Sequence, residues 1–294
     1  MCNDICGATK TTGQAQERSA VQERKAIARG ELWVNGCVRS EKRYPVKSMR
    51  GEELDAAFVG FAGAYGDRTF ALTSSTRPKG FPYFTARDQR EMLLYRPRFR
   101  SPQTAALPIN LAEAQSLGPG ITPLYGDASD LMVDVETPSG ETFAIDDPAL
   151  IRALGKGMKE SPTVTLIRSD RALTDCRPVS LISVQTASRL GEELQAEVDK
   201  RRLRANIYLD LTSARGYGKD ALVGRSLRIG SKMTLSVLER DSRCKMITLD
   251  PDTGVSNPAF LRPVAQAHEG MAGVYGAVLI EGVLHKGDVV ELLY

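Results

Sequence analysis

The stretch ERDSRCKMITLDPDTG, residues 239–254, holds the last of five cysteines, Cys244. Arg243 and Lys245 flank it. Adjacent cations favour the thiolate, the form that attacks electrophiles or binds metal. On an ideal strand those neighbours face the other way, so they reach the thiol only at a bulge or a strand end. The alternative is an inert small hydrophobe in a buried strand. Spacing alone leaves both readings open.

Other residues point to an anion. YPVKSMRG (44–51) offers Lys47 and Ser48, and GDRTFAL (66–72) offers Arg68. KRRLR (200–204) ends on Arg204, with Asn206 two residues on and expected on the same face of the following strand. It also reads as a solvated helix end, where cations suit the C-terminal dipole. With Arg243 these groups form a charge-rich set on otherwise apolar strands. Buried cations need anionic partners. Asp67 can serve one of them, and the rest imply that a bound anion is part of the core. Aromatic residues make up 6% of the chain and the net charge is +3. A nucleic-acid surface wants a broader basic stripe with aromatics, so a small phosphate is the better anion.

Three further motifs read as structure. GYGKDA (216–221) fits G-x-G-x-x-A, but a strand-like run follows where a dinucleotide site needs a helix. DPDTG (250–254) opens like a calcium loop, yet Gly254 and Leu261 stand where acidic ligands belong, so a tight turn is expected. Zinc has little support: there is no CxxC pair, and only two histidines exist. His268 and Tyr275 are candidates for the mouth of a site, with loop packing as the alternative.

The elements that must position these residues are mostly strands. The 294 residues allow about two domains. Residues 1–29 are polar and read as a disordered tail. From residue 30 to 152, short apolar runs cut by glycine predict a β-barrel domain, with hairpin turns at Asn35-Gly36 and at PSG, 138–140. Residues 153–294 form the second domain. There TASRLGEELQAEVDK predicts a helix over 186–200, with Thr186 or Ser188 near its N-cap. NIYLDL, SLRIGSKMTLSVLE and CKMITLD read as strands, and GAVLIEGVLHKGDVVELLY as a pair of hairpins. REMLLYRPRF continues the strand pattern. The expected fold class is mainly β (α+β), two barrels with a few helices. No apolar run approaches the roughly 18 residues of a membrane helix. The first residues lack an apolar core and carry Asp4, so neither a secretory signal nor a membrane anchor is expected. Five irregularly spaced cysteines argue for a reducing compartment, hence a cytoplasmic protein.

Taken in order, YPVKSMRG, GDRTFAL, FTARD, LRANIYLD, RDSRCKMITLDPDTG and GVYGAVLIEGVLHKGD resemble the MOSC family, whose members carry an N-terminal MOSC-associated β-barrel ahead of the MOSC domain. The R-C-x-x-x-T-x-D-P-x-T-G stretch is the specific part. The resemblance covers about residues 31–294 and is similar to the mitochondrial amidoxime-reducing component and its bacterial relatives. It implies a molybdenum cofactor (Mo-molybdopterin) held between the two domains, with Cys244 ligating the metal. Lys47, Ser48 and Arg68 would bind the pterin phosphate. Arg204, Asn206 and Ser242 would line the pterin, Arg243 belongs to the same cationic set, and Asp175 falls near another pterin contact.

The chemistry agrees with the resemblance. A thiolate suits a metal already held by dithiolene sulfurs, and Lys, Ser and Arg suit a phosphate dianion. The implied activity is reduction of a small N-hydroxylated substrate. No cysteine follows Cys244, so electrons would come from a separate flavin or iron–sulfur protein. Two other functions fit the same residues: a persulfide carrier using Cys244, and a carrier of the cofactor itself.

Overall fold

The structure, a computed structural model, describes residues 36–117, 127, 129–155, 162–211 and 218–293. The tail at 1–29 lies outside the described residues, as do Asn35 and the opening of GYGKDA. The strands of the first half are β1 (Gly36–Arg43), β2 (Glu52–Leu54), β3 (Ala56–Gly60), β4 (Gly63–Ala64), β5 (Phe70–Ser74), β6 (Tyr83–Phe84), β7 (Arg96–Phe99), β8 (Val133–Glu136) and β9 (Thr142–Ala144). Those of the second are β10 (Val164–Arg168), β11 (Val179–Ser183), β12 (Ile207–Leu211), β13 (Ser226–Ile229), β14 (Met233–Ser242), β15 (Met271–Ile280), β16 (Gly282–His285) and β17 (Val289–Leu293). Four helices are described: α1 (Leu111–Ser116), α2 (Pro148–Gly155), α3 (Val184–Leu194) and α4 (Arg262–Ala267). The fold is mainly β, as its sequence texture requires.

Strands β12, β11, β15, β14, β13, β17 and β1 pair in that order, and β1 pairs back onto β12. The result is a closed seven-stranded barrel, which leaves no free edge. Its interior is filled by inward residues such as Val38, Leu181, Leu209, Leu227, Leu235 and Val290. Three three-stranded sheets, β10-β5-β6, β16-β3-β4 and β7-β8-β9, surround a second core that includes Met49, Phe58, Phe70, Leu72 and Phe84. The halves exchange strands: β1 completes the second-half barrel, while β16 pairs with β3 of the first half. Helices α3 and α4 contribute Leu190 and Val264 to a third cluster, with Tyr208 and Ile247.

Several expected elements differ. Gly36 opens β1 and pairs with Leu211 and Val290, so it is not at a hairpin turn. An added Cβ there would stand 2.6 Å from the Asp210 carbonyl oxygen, which explains the glycine as a close backbone approach. β15, β16 and β17 exist, but they pair with other strands instead of forming hairpins with one another. REMLL forms a 3-10 turn, Arg90–Leu94, ahead of β7. The helix expected over 186–200 is α3, capped by Ser183, whose Oγ accepts from Thr186 N at 3.2 Å. It stops at Gln195, which takes φ 52°. Gly191 permits that reversal: the Ala196 N–H donates to its carbonyl, and Ala196 O would lie 2.9 Å from a Cβ at 191. The PSG turn does form, joining β8 to β9, with Gly140 at φ 90°.

Candidate functional site

Two segments of the first half are laced together. Tyr44 N donates to Asp67 Oδ1 at 2.8 Å, Arg68 N to Tyr44 O at 2.6 Å, and Lys47 N to Phe70 O at 2.9 Å. This puts Lys47, Ser48 and Arg68 at one spot, although about twenty residues separate the motifs. The second half meets them through arginine-to-carbonyl bonds. Arg68 Nη2 donates to Arg204 O at 3.2 Å and Arg204 Nη2 to Met49 O at 2.9 Å; within the second half, Arg243 Nη1 donates to Leu203 O at 2.6 Å.

Together they wall an open cleft whose roughly 720 Å³ of empty space includes the solvent at its mouth. Lys47, Ser48, Arg68, Asp175, Arg204, Ser242, Arg243 and Cys244 all line it. Asn206 does not. It is fully buried, its Oδ1 accepts from Ser180 N and Oγ, and its Nδ2 donates to Lys42 O. Arg204 precedes β12 in a left-handed conformation, so the same-face alternation expected for 204 and 206 does not apply.

Ser48, Arg68 and Arg204 have φ of 68°, 46° and 49°. Non-glycine residues with positive φ are uncommon, and strained backbone concentrates at ligand sites. The Arg68 and Arg204 guanidinium carbons both lie over the Tyr44 ring, 4.7 and 4.3 Å from its centroid. The ring's π-face attracts both cations. Arg68 also pairs with the buried Asp67 carboxylate. Arg204 has no carboxylate partner among the described residues, and burial pushes its guanidinium below the usual range.

Burial also lowers the Lys47 ammonium to about 8, against the pull of Asp175. Lys47 Nζ donates to Leu173 O at 2.7 Å and pairs with Asp175 Oδ1. Asp175 also pairs with Arg87 at 3.2 Å, so one carboxylate ties two cavity cations together. Its carboxyl is held below the usual carboxylate range: Lys47 and Arg87 outweigh the opposing effect of burial.

Cys244 is not within a strand. β14 ends at Ser242, and Cys244 caps a 3-10 turn, Lys245–Thr248, with extended backbone. The stretch expected to be a strand is therefore a strand end followed by a turn, which delivers a half-buried free thiol to the cavity. DPDTG then turns tightly: Asp250 Oδ1 accepts from Asp252 N and Thr253 N, both at 3.0 Å. Its other oxygen takes Arg202 at 2.6 Å. Tyr275 lines the cavity, whereas His268 instead joins α4 to α3 through Glu193 at 3.0 Å.

The motifs left Arg87, Arg177, Arg202 and Asp241 unassigned, and all four line the cavity. Asp241 was visible in RDSRC, but its burial against Arg243 was not. In all, seven cationic side chains face two carboxylates, Asp175 and Asp241. Among the described residues, no cluster of three His, Cys, Asp or Glu could hold a bare metal ion. Cys244 can therefore offer one soft bond to a metal that arrives with other ligands.

The profile of the MOSC domain matches residues 168–291, and that of the MOSC N-terminal beta barrel domain matches residues 36–147. Among solved structures, the YUAD protein from Bacillus subtilis is 13% identical, with a TM-score of 0.44 over 89% of this chain and 98% of that one. YiiM from Geobacillus stearothermophilus is 15% identical, with a TM-score of 0.30 over 40% of this chain and 54% of that one. No curated protein matches the chain.

Proposed function

The chain belongs to the MOSC family, with the MOSC N-terminal beta barrel domain ahead of the MOSC domain, and from that premise we propose a molybdenum-cofactor-dependent reductase of small N-hydroxylated compounds. The family is associated with the molybdenum cofactor. One observation carries the reading: Lys47, Ser48 and Arg68 of the first half, side chains of the kinds that suit a phosphate, and a free thiol of the second line a single cavity. The cationic excess of its wall suits a phosphorylated ligand, and Arg204 supplies a cation with no carboxylate partner among the described residues.

In this reading Lys47, Ser48, Arg68 and Arg204 hold the phosphate of the pterin. Ser242 and Arg243 border it, and Cys244 holds the metal. When bound, the molybdenum cofactor supplies a two-electron centre able to take oxygen from an N–O bond. The net reduction consumes two electrons and two protons and yields an N–H product and water. Arg243 is turned toward Leu203 O and Asp241, which fixes the chain entering the cysteine. Asn206, bonded through its side chain to Ser180 and to Lys42 O, holds β12 to Ser180 and supports the wall without lining the cavity. The electrons come from a separate flavin or iron–sulfur protein. No helix among the described residues is long and apolar enough to cross a membrane. The three described cysteines are free, which suits the reducing conditions of the cytoplasm.

Protein from a cofactor-competent host, given a reductase as electron source, should convert benzamidoxime to benzamidine. Cys244→Ser should abolish turnover and leave a folded chain. Full turnover in that variant overturns the ligand role of Cys244. Wild type that carries molybdenum yet reduces none of several N-hydroxylated compounds overturns the reductase.

A further inference from the structure

A second, smaller pocket shares Arg202, Arg204 and Met246 with the main cavity, but Lys47, Ser48, Arg68 and Cys244 do not line it. Its roughly 430 Å³ of empty space includes the solvent at its mouth. Lys42 and Arg50 of the first half meet Arg201, Arg202 and Arg204 of the second there, and no carboxylate among the described residues lines it. The backbone explains the meeting. Lys42, in β1, donates its N–H to Asn206 O at 2.7 Å, which sets it beside the KRRLR run. That run is a 3-10 turn, Lys200–Leu203, capped by Asp199, whose side chain accepts from Arg201 N at 2.8 Å. Arg50 reaches across the halves, its Nη2 donating to Pro251 O at 2.9 Å.

The carboxylates that answer these cations stand outside the lining. Glu53 lies 3.3 Å from Lys42 Nζ and is shared with Lys200 at 3.9 Å. Asp252 pairs with Arg50 at 2.7 Å and also with Arg201, which Asp199 holds at 2.6 Å. Asp250 takes Arg202 at 2.6 Å, and Arg204 has no carboxylate partner among the described residues. Four carboxylates thus answer six cations, Lys200 included, and two positive charges are left over. Lys42 and Arg202 are only 7% and 9% exposed, and surplus cations at that depth call for an anion. Two donors are unspent as well: the Nε atoms of Arg50 and Arg202 are buried with no hydrogen-bond partner among the described residues. Arg202 is already fixed, with its guanidinium carbon 4.1 Å from the Phe260 ring centroid and Nη1 3.2 Å from Thr248 O, so binding there costs little further ordering.

We propose that this pocket is a second oxyanion site, which takes free sulfate or phosphate as a clip between the two halves of the chain. A dianion matches the two unanswered charges, and guanidinium groups suit the oxygens of a tetrahedral ion. The site is distinct from the phosphate position assigned to the main cavity, and it does not rest on the reductase reading. Its residues converge only in the folded chain, so the ion binds the folded state alone.

The test is calorimetric titration of the full chain, as purified, with sulfate, and molybdenum is measured on the same samples. Wild type should take up about one more sulfate per chain than Arg50→Gln, whether or not the samples carry molybdenum, because the affinity of this site should fall at least about tenfold without that guanidinium. The Arg50–Asp252 pair is part-exposed, so the substitution costs the fold little. Lys42→Met approaches the site from β1 and should lose the same equivalent. Equal sulfate uptake by wild type and both variants, or uptake by wild type that never saturates, overturns the proposal. Samples that lack molybdenum and still show the difference sink the metallopterin and keep this site; molybdenum-loaded samples that show no difference do the reverse.

Discussion

Arg68 is assigned two duties, and they can be separated. The Asp67 side chain is fully buried, with Oδ1 taken by Tyr44 N at 2.8 Å and Oδ2 by Arg68. Arg68→Ala leaves that carboxylate without its counter-charge, a loss of about 3–5 kcal/mol when a buried pair is broken from one side. Asp67→Asn removes the charge and keeps the acceptor for Tyr44. The double variant Asp67→Asn/Arg68→Ala should therefore regain most of the lost stability. It should not regain phosphate affinity, because each charge-assisted contact is worth about 1.5–3 kcal/mol, or tenfold and upward in Kd. Urea unfolding reads the first quantity and calorimetry with inorganic phosphate the second. A loss below about 1 kcal/mol in Arg68→Ala, within the range of an exposed pair, refutes the buried-pair account. A double variant that recovers stability and phosphate binding together shows that Arg68 serves only Asp67.

Two other groups carry pH predictions. Burial lifts the Glu41 carboxyl from 4.5 to about 8, and neither oxygen has a hydrogen-bond partner among the described residues. The folded chain keeps this proton over that window while the unfolded chain releases it, so stability falls as pH rises from 4.5 to about 8. At about 1.4 kcal/mol per pH unit the total is on the order of 5 kcal/mol. Glu41→Gln should flatten the curve and melt higher than wild type at pH 8; an unchanged slope means that Glu41 is not the source. For the cofactor-free protein, sulfate affinity should drop as pH rises through about 8, where Lys47 loses its proton. Lys47→Arg should bind sulfate evenly across that range, and a drop that persists in the variant assigns the effect elsewhere.

The sequence made the site more legible than the fold that builds it. Short motifs named six residues that do line the cavity, Lys47, Ser48, Arg68, Arg204, Arg243 and Cys244, because charged side chains on apolar runs demand a partner wherever the runs lie; the family resemblance added Asp175 and Ser242. Asn206 was misplaced because strand alternation was extended through Arg204, whose left-handed backbone breaks it. Cys244 was read into a strand from its apolar neighbours, Met246 and Ile247, which pack equally well from a 3-10 turn. The exchange of β1 and β16 had no local signature. Strand pairing between distant segments is decided by which core each face can join, and neither turn chemistry nor periodicity records that. Gly36 looked like a turn residue, yet it accommodates a specific neighbour, the Asp210 carbonyl.

The central claim is that cations of the first half and a thiol of the second share one phosphorylated metallopterin. Molybdenum and pterin should be counted per chain, for wild type and Cys244→Ala purified from a cofactor-competent host. About one of each is expected in wild type, with molybdenum lost from Cys244→Ala. Wild-type protein carrying neither metal nor pterin, or a variant that keeps its molybdenum in full, contradicts the claim.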